Sequence, residues 1–245
     1  MPGRFSIETW SACAAGIEDR QAWQAWARAP FLPEGEPVPA LAEMPAMQRR
    51  RLGTLGRLAL QVAWRCQPEA EAGLPMVFAS RHGDIHRTQE MLDGLARGEP
   101  LSPTQFGLST HNAIAAQYSI ARGMTGNYLA VAAGEASVEA GVVEALGLLA
   151  DGAPAVLLVA YDAPIPSAYE AFRDEPECSW AWAWRLVPPG EGLPTLSLSP
   201  AGDPAPAPSP EAASLPHGLE VLRQLLAGGA AWPSRDRRWV WRRHA

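Results

Sequence analysis

The stretch LAVAAGEASVEAGVVEALGLLADG, residues 129–152, constrains the fold more than any other part of the chain. Small and apolar residues predict a strand over 128–133, and the apolar spacing that follows predicts a helix over 136–150. The run AVLLVAY predicts a second, buried strand over 155–161. Two strands joined through a helix are typical of parallel pairing, so we expect an α/β fold whose mixed sheet carries helices on both faces.

The same patterns predict the other elements. Residues 5–30 predict a strand or loop followed by a short helix, 75–80 a buried strand, and the Pro-rich segment 30–46 an irregular excursion. Helices are predicted over 44–66, 88–97, 110–122 and 217–226, the third ending at Gly123. The alternation in SWAWAWRLV predicts a strand over 179–187 with Trp180, Trp182 and Trp184 on one face, which we interpret as core or interface. Residues 193–198 are its predicted partner strand.

Composition bounds the domain organisation and the class of protein. The 245 residues, 47% of them hydrophobic, are enough for one large domain, which we place at 1–200. A Pro-rich linker is predicted over 201–216, and a C-terminal helix and strand over 217–245 that pack on the core or on a partner. The net charge of −6 gives no reason to expect nucleic acid, although RRWVWRR forms one short basic strand.

The sequence also predicts where the protein resides. No stretch resembles a signal peptide or is apolar for long enough to span a membrane. The 3 cysteines are far apart, which argues against a disulfide framework. We therefore expect a cytoplasmic protein without a membrane span.

Polar residues at predicted element boundaries are the candidate site residues. Glu135 lies on the turn between the strand and the helix, where it either faces a site or caps the helix. His111 and Asn112 begin a helix of small residues, where they border a cleft or a partner, or cap the helix. His82 and His86 have the spacing of a metal-binding pair, but no third ligand has a convincing spacing, so we expect local hydrogen bonding and no metal.

Three segments carry a resemblance to a known family. They are MVFASRHGDIHRTQEML, PLSPTQFGLSTHNAIAAQYSIARG and the run NYLAVAAGEASVEAGVVEALGLLADGAPAVLLVAYDAP. Together they resemble the N-terminal half of a β-ketoacyl synthase, with the matching positions Ser102-Pro103, Asn112, Ala115-Ala116 and Asp151-Gly152. The resemblance covers roughly 45–165 and is nearest to truncated proteins that look like chain-length factors of aryl-polyene-type type II polyketide systems. It implies one half of a thiolase-like fold.

The departures from the family decide what the resemblance implies for catalysis. Aligned through Ala136-Ser137, Glu135 occupies the position of the nucleophilic cysteine. A carboxylate is a far weaker nucleophile toward a thioester than a thiolate. The two active-site histidines of the family belong to the second half of its fold, and His217 and His244 lack their glycine-rich surroundings. The resemblance therefore implies no catalytic residue and no cofactor, with Glu135 filling the cysteine pocket and accepting hydrogen bonds from the helix N-terminus.

By resemblance, the chain would pair with an active ketosynthase as a non-catalytic chain-length factor. The contacts would run through Tyr128–Gly134 and the helix over 109–118, and side chains that enter the partner's acyl tunnel would limit chain growth. Candidates for those side chains are Phe106, His111, Asn112 and Ile114. The basic residues 49–51 either contact an acidic acyl carrier protein or form a solvated helix face.

Two alternatives stay open from the sequence. One is a subunit that decarboxylates malonyl-carrier protein, which the missing histidines disfavour. The other is a homodimeric structural or regulatory protein without acyl chemistry.

Overall fold

The computed structural model describes residues 3–202 and 214–244, so most of the predicted linker, residues 203–213, lies outside the described part of the chain. The described strands are β1 (Gly3–Ala14), β2 (Met76–Ala79), β3 (Tyr128–Val131), β4 (Val156–Asp162), β5 (Trp180–Val187), β6 (Thr195–Pro200), β7 (Ala231–Pro233) and β8 (Trp239–His244). The described α-helices are α1 (Arg20–Arg28), α2 (Ala46–Arg49), α3 (Thr54–Cys66), α4 (Ile85–Ala96), α5 (Pro103–Ser109), α6 (Ala113–Arg122), α7 (Ser137–Ala150) and α8 (His217–Ala227). Short 3₁₀ helices lie at Gly134–Ala136 and Ser167–Phe172.

The strands form one 8-stranded mixed sheet in the order β3-β2-β4-β5-β1-β6-β8-β7. β2 is parallel to both β3 and β4, and the remaining pairs are antiparallel. The predicted α/β class and mixed sheet are confirmed. The predicted partner of β5 is wrong, because β4 and β1 occupy the two edges of β5 and β6 pairs instead with β1 and β8.

Two apolar cores lie on opposite faces of the sheet. One contains the indoles of Trp182, Trp184 and Trp241, with α1, α7 and α8 packed over it. The other lies under α3 and α6 and contains Ala181 and Ala183, the alternate residues of β5. The tryptophans of β5 are fully buried, so the period of two residues predicted their common face correctly and the core interpretation is confirmed.

Two predicted helices differ in extent from the structure. The helix predicted over 44–66 is interrupted between Arg49 and Thr54, where Gly53 adopts an extended conformation before α3. The helix predicted over 110–122 begins only at Ala113 and is preceded by α5. Ser102 accepts a hydrogen bond from the Gln105 amide at the start of α5 and Pro103 follows it, a helix-start signal that periodicity alone misses.

The C-terminal elements pack on the rest of the chain. α8 contacts α1, and the Trp182 indole donates a hydrogen bond of 2.9 Å to the Gly218 carbonyl in the first turn of α8. β8 inserts between β6 and β7, which places the Trp241 ring in the core. None of the helices in the described ranges combines the length and the apolar character that crossing a membrane requires.

Candidate functional site

The candidate site lies where the carboxyl ends of β2, β3 and β4 meet. These strands are parallel neighbours, so the loops that follow them share one edge of the sheet. The turn Gly134–Ala136 follows β3 there and leads into α7. Gly134 has a φ of +56°, a conformation that a residue with a side chain rarely adopts. The strand, turn and helix that the sequence predicted are therefore present, with Glu135 at the turn.

Glu135 does not cap the helix. Its half-buried carboxylate accepts no hydrogen bond from the described residues. The turn is closed instead by Ser137, the first residue of α7, whose hydroxyl accepts from the Ala133 amide at 3.0 Å and donates to the Gly134 carbonyl at 2.8 Å. The expectation that Glu135 accepts hydrogen bonds from the helix N-terminus is wrong, because the shorter Ser137 side chain already closes the turn.

His111 connects the loops that follow β2 and β3. Its Nε2 lies 3.3 Å from the Val131 carbonyl oxygen, and its ring covers Gly83. A Cβ on Gly83 would lie 2.6 Å from His111 Nδ1, and Gly83 also has a positive φ of +59°, so only glycine fits there. Asn112 occupies the N-cap position of α6 with an exposed side chain that makes no capping hydrogen bond.

Phe106 and Ile114 have opposite environments. The Phe106 side chain on α5 is 59% exposed, whereas Ile114 on α6 is 5% exposed and belongs to the core under α3. Ile114 packs where Leu52 and Gly56 meet. Ile114 is therefore a correction to the predicted set of tunnel residues, because its side chain is enclosed by its own chain and cannot enter a partner.

β3 forms an edge of the sheet and has only β2 as a neighbour within the described residues. Met76 donates to the Asn127 carbonyl and Ser80 to the Val131 carbonyl, so the alternate residues Tyr128 and Ala130 direct their amides and carbonyls outward. Residues 125–133 contain neither a charge nor a proline, and Leu129 is 36% exposed. Such an edge can accept another strand.

The SRHGD loop after β2 is held by local hydrogen bonds. The Ser80 hydroxyl donates to Asp162 Oδ1 at 2.8 Å and accepts from the Gly83 amide at the same distance. Burial raises the pKa of Asp162 to about 7, although the hydrogen bond from Ser80 opposes that shift. Asp162 thus stabilises the loop at the end of β4.

His82 in this loop and His86 in the first turn of α4 have separate partners. His86 Nε2 lies 2.8 Å from the Pro164 carbonyl oxygen, while burial and the neighbouring Arg81 lower the pKa of His82. Among the described residues, no group of three or more histidine, cysteine or carboxylate side chains is arranged to hold a metal.

Sequence reasoning missed a group of ion pairs beside the site, in which the Arg81 and Glu175 side chains are largely buried and the Asp174 side chain is partly exposed. Arg81 contacts Asp174 at 2.5 Å and Glu175 at 2.6 Å, and Glu175 also contacts Arg235 at 2.7 Å. These contacts join the loop after β2, the segment before β5 and the turn between β7 and β8. The acidic run DEPE directly before the tryptophan strand was the available signal, but its partners are too distant along the chain to be identified from spacing.

Comparisons with known proteins identify the family. A model described as "Beta-ketoacyl synthase, N-terminal domain" matches residues 23–242. The chain belongs to this family. A search of curated proteins found no match. The resemblance stated from the sequence is confirmed.

Solved structures with similar chains agree with this assignment to the β-ketoacyl synthase N-terminal domain family. A chain of "Ketosynthase (ApeO) in Complex with its Chain Length Factor (ApeC) from Xenorhabdus doucetiae" is 27% identical, with a TM-score of 0.82 over 98% of this chain and 99% of that one. A chain of "The ishigamide ketosynthase/chain length factor" gives a TM-score of 0.70 at 13% identity over 98% of both chains. A β-ketoacyl synthase from Burkholderia phymatum gives 0.60 at 14% identity over 85% of this chain and 67% of that one. The last two show the fold alone, a ketosynthase-like α/β half.

Proposed function

We propose that the protein is a non-catalytic, ketosynthase-like chain-length factor that pairs with an active ketosynthase and shapes its acyl tunnel in polyene or fatty-acid-type biosynthesis. The observation that carries the proposal is the pairing-competent β3 edge, followed by the turn that bears Glu135. The sequence resemblance aligns Glu135 with the nucleophilic cysteine of the family. The likeness to a chain of a ketosynthase–chain length factor complex supports the same role.

The local chemistry supports the absence of condensing activity. A condensing nucleophile is a thiolate with an adjacent base, and the Glu135 carboxylate is neither a thiolate nor bonded to a base within the described residues. His111, the histidine contacting the end of β3, is occupied by the Val131 carbonyl and the Gly83 backbone. The chain's contribution to the reaction is therefore shape rather than chemistry.

The proposed interface combines the β3 edge with α5 and α6. α6 packs against both α5 and β3, so these three elements are adjacent. Each carries an exposed apolar side chain, namely Phe106, Ile120 and Leu129. An apolar surface next to a free strand edge matches what a ketosynthase subunit would cover, because main-chain pairing and apolar burial both stabilise association.

Within this interface, Phe106 is the strongest candidate for a side chain that limits acyl-chain length. It is large, apolar and exposed, so it can project from α5 into a cavity of the partner. Asn112 is exposed at the start of α6, while His111 is half-buried and its ring contacts the loop after β2 and the end of β3. Bulk at Phe106 would stop chain growth by steric exclusion.

The basic residues 49–51 are the proposed contact for an acidic acyl carrier protein. The Arg49 guanidinium donates to the Leu41 carbonyl at 2.9 Å and is committed to its own chain. Arg50 and Arg51 are exposed and border a groove of about 900 Å³. These two residues are the ones that an acidic carrier protein could reach.

The proposal is tested by co-expression with the ketosynthase encoded nearest to it, followed by size-exclusion chromatography with light scattering. We expect a one-to-one complex, and poor solubility of the lone chain because of its free edge. A matched culture without the ketosynthase is the control. A stable homodimer that never binds a ketosynthase would support the structural or regulatory alternative, and malonyl-carrier protein decarboxylation by the lone chain would support the enzymatic one. Either result rejects the chain-length factor.

A further inference from the structure

Glu139 connects the C-terminal module, defined here as α8, β7 and β8, to the helix that follows the Glu135 turn. Its side chain on α7 is 0% exposed. One carboxylate oxygen, Oε1, lies 2.8 Å from His217 Nε2 on α8 and accepts a hydrogen bond of 2.9 Å from the Trp241 indole on β8. Three elements from distant parts of the chain thus meet at a single oxygen atom.

A carboxylate in this position is costly unless a positive charge faces it. Transfer of an ionised carboxylate from water into an apolar core is strongly unfavourable without a paired charge. The second oxygen, Oε2, has no hydrogen-bond partner among residues 3–202 and 214–244, so within these ranges only contacts to Oε1 offset the cost of burying the charge. The Trp241 indole is neutral, and His217 is the residue that can supply a charge in direct contact.

The surroundings of His217 favour its charged form. His217 is the first residue of α8, where the helix dipole disfavours a cation. A negative charge also lies at this helix end, because the Glu175 carboxylate accepts a hydrogen bond of 2.8 Å from the His217 backbone amide. Burial alone lowers the pKa of His217, but the facing carboxylates of Glu139 and Glu175 outweigh burial and the more distant Arg235, so the pKa is raised. On α8 itself, Glu220 is the charged residue of the first turn.

We propose that Glu139, His217 and Trp241 form a proton-dependent latch, which holds the C-terminal module on α7 while His217 is charged and loosens when His217 loses its proton. A group whose pKa is raised by folding stabilises the folded form fully below its unfolded pKa. That stabilisation is lost as the pH rises toward the raised value. The module therefore detaches more readily above neutral pH than below it.

Hydrogen exchange measured by mass spectrometry on the full chain tests the latch, in the co-purified complex if the lone chain does not stay soluble. After correction for intrinsic exchange rates, we expect the opening equilibrium of α8 and β8 to rise by up to about tenfold per pH unit between about pH 6.5 and the raised pKa of His217, and to level off above that pKa. His217→Gln and Glu139→Gln should each abolish this slope. His244→Gln is the matched control, because His244 contacts the Ser197 hydroxyl rather than a carboxylate, and it should keep the slope.

A second measurement covers the case in which a latch variant does not fold. In the unmodified protein, a histidine-labelled NMR titration should place the His217 midpoint above the ordinary imidazole value. A midpoint at or below that value overturns the proposal. An exchange slope in His217→Gln equal to that of the unmodified protein also overturns it, because the proton would then act elsewhere.

Discussion

The two edges of the sheet differ in what protects them. β3 has four residues and no charge or proline in or beside it, and its outward backbone groups at Tyr128 and Ala130 are free to pair. β7 at the opposite edge has only three residues and ends at Pro233. Short edge strands and edge prolines are the devices by which proteins prevent unwanted pairing. The difference indicates that the β7 edge is closed and that the β3 edge can still pair with another strand.

The side chains that lie next to the two edges also differ. Next to β3 lie the Glu135 turn and α6, with exposed apolar side chains on α5 and α6. Next to β7 lies a stack in which the Trp232 and Trp241 rings are 5.7 Å apart and nearly parallel. On the proposed function, binding would be concentrated at the β3 end of the sheet and stability at the β7 end, so each should respond to different substitutions.

The largest expected effect comes from closing the β3 edge. Ala130→Pro removes an outward amide that β2 does not use, so the chain should fold while its complex with the ketosynthase weakens by at least about a hundredfold. Leu129→Lys adds an edge charge and should act in the same direction. Binding is measured by interferometry on the co-purified subunits.

Ala231→Lys on β7 is the matched control and should leave binding unchanged, because that edge is already closed by Pro233. If Ala231→Lys weakened the complex as much as Leu129→Lys, the two edges would be equivalent and the assignment of the interface to β3 would fail.

At the β7 end, Trp232→Ala should lower the free energy of unfolding by about 3–5 kcal/mol, because it leaves a large cavity against Trp241. The Trp232 indole nitrogen has no hydrogen-bond partner in the described part of the chain, so we expect the loss to come from packing. Urea denaturation measures it. Binding per folded molecule should be unaffected, and a parallel loss of affinity would contradict the separation of the two ends.

Sequence periodicity predicted strands and helices from their buried faces. It did not predict which strands pair, because strand order depends on residues far apart in the sequence. The tryptophan alternation of β5 and the strand–turn–helix around Glu135 are local patterns, and both were predicted correctly. The pairing of β6 with β1 and β8 depends on which edges remain free, which no local pattern contains. The same holds for Glu139 and His217, which are 78 residues apart and become a pair only in the folded chain.

At the β3 end, the candidate tunnel residues Phe106 and Ile114 can be compared directly. Phe106 is exposed and available for binding, whereas Ile114 is buried. Ile114→Ala should destabilise the protein by about 2–4 kcal/mol, since Ile114 lies in the core under α3. Phe106→Ala should change stability by about 0.5 kcal/mol or less, because its ring is exposed. Product analysis of the complex should show longer acyl chains with Phe106→Ala. Unchanged products would remove Phe106 from the proposed tunnel.

The smallest expected effects concern the turn after β3, which contains Glu135 and is closed by Ser137. Ser137→Ala leaves the Ala133 amide without its acceptor and should cost about 1 kcal/mol, the usual net contribution of one hydrogen bond to stability. Glu135→Gln removes a charge that makes no hydrogen bond within the described residues and should stay within about 0.5 kcal/mol. Thermal unfolding of the two variants decides between them. A larger loss for Glu135→Gln would mean that the acid, rather than Ser137, maintains the shape of the turn, and the open edge beside it would then depend on Glu135.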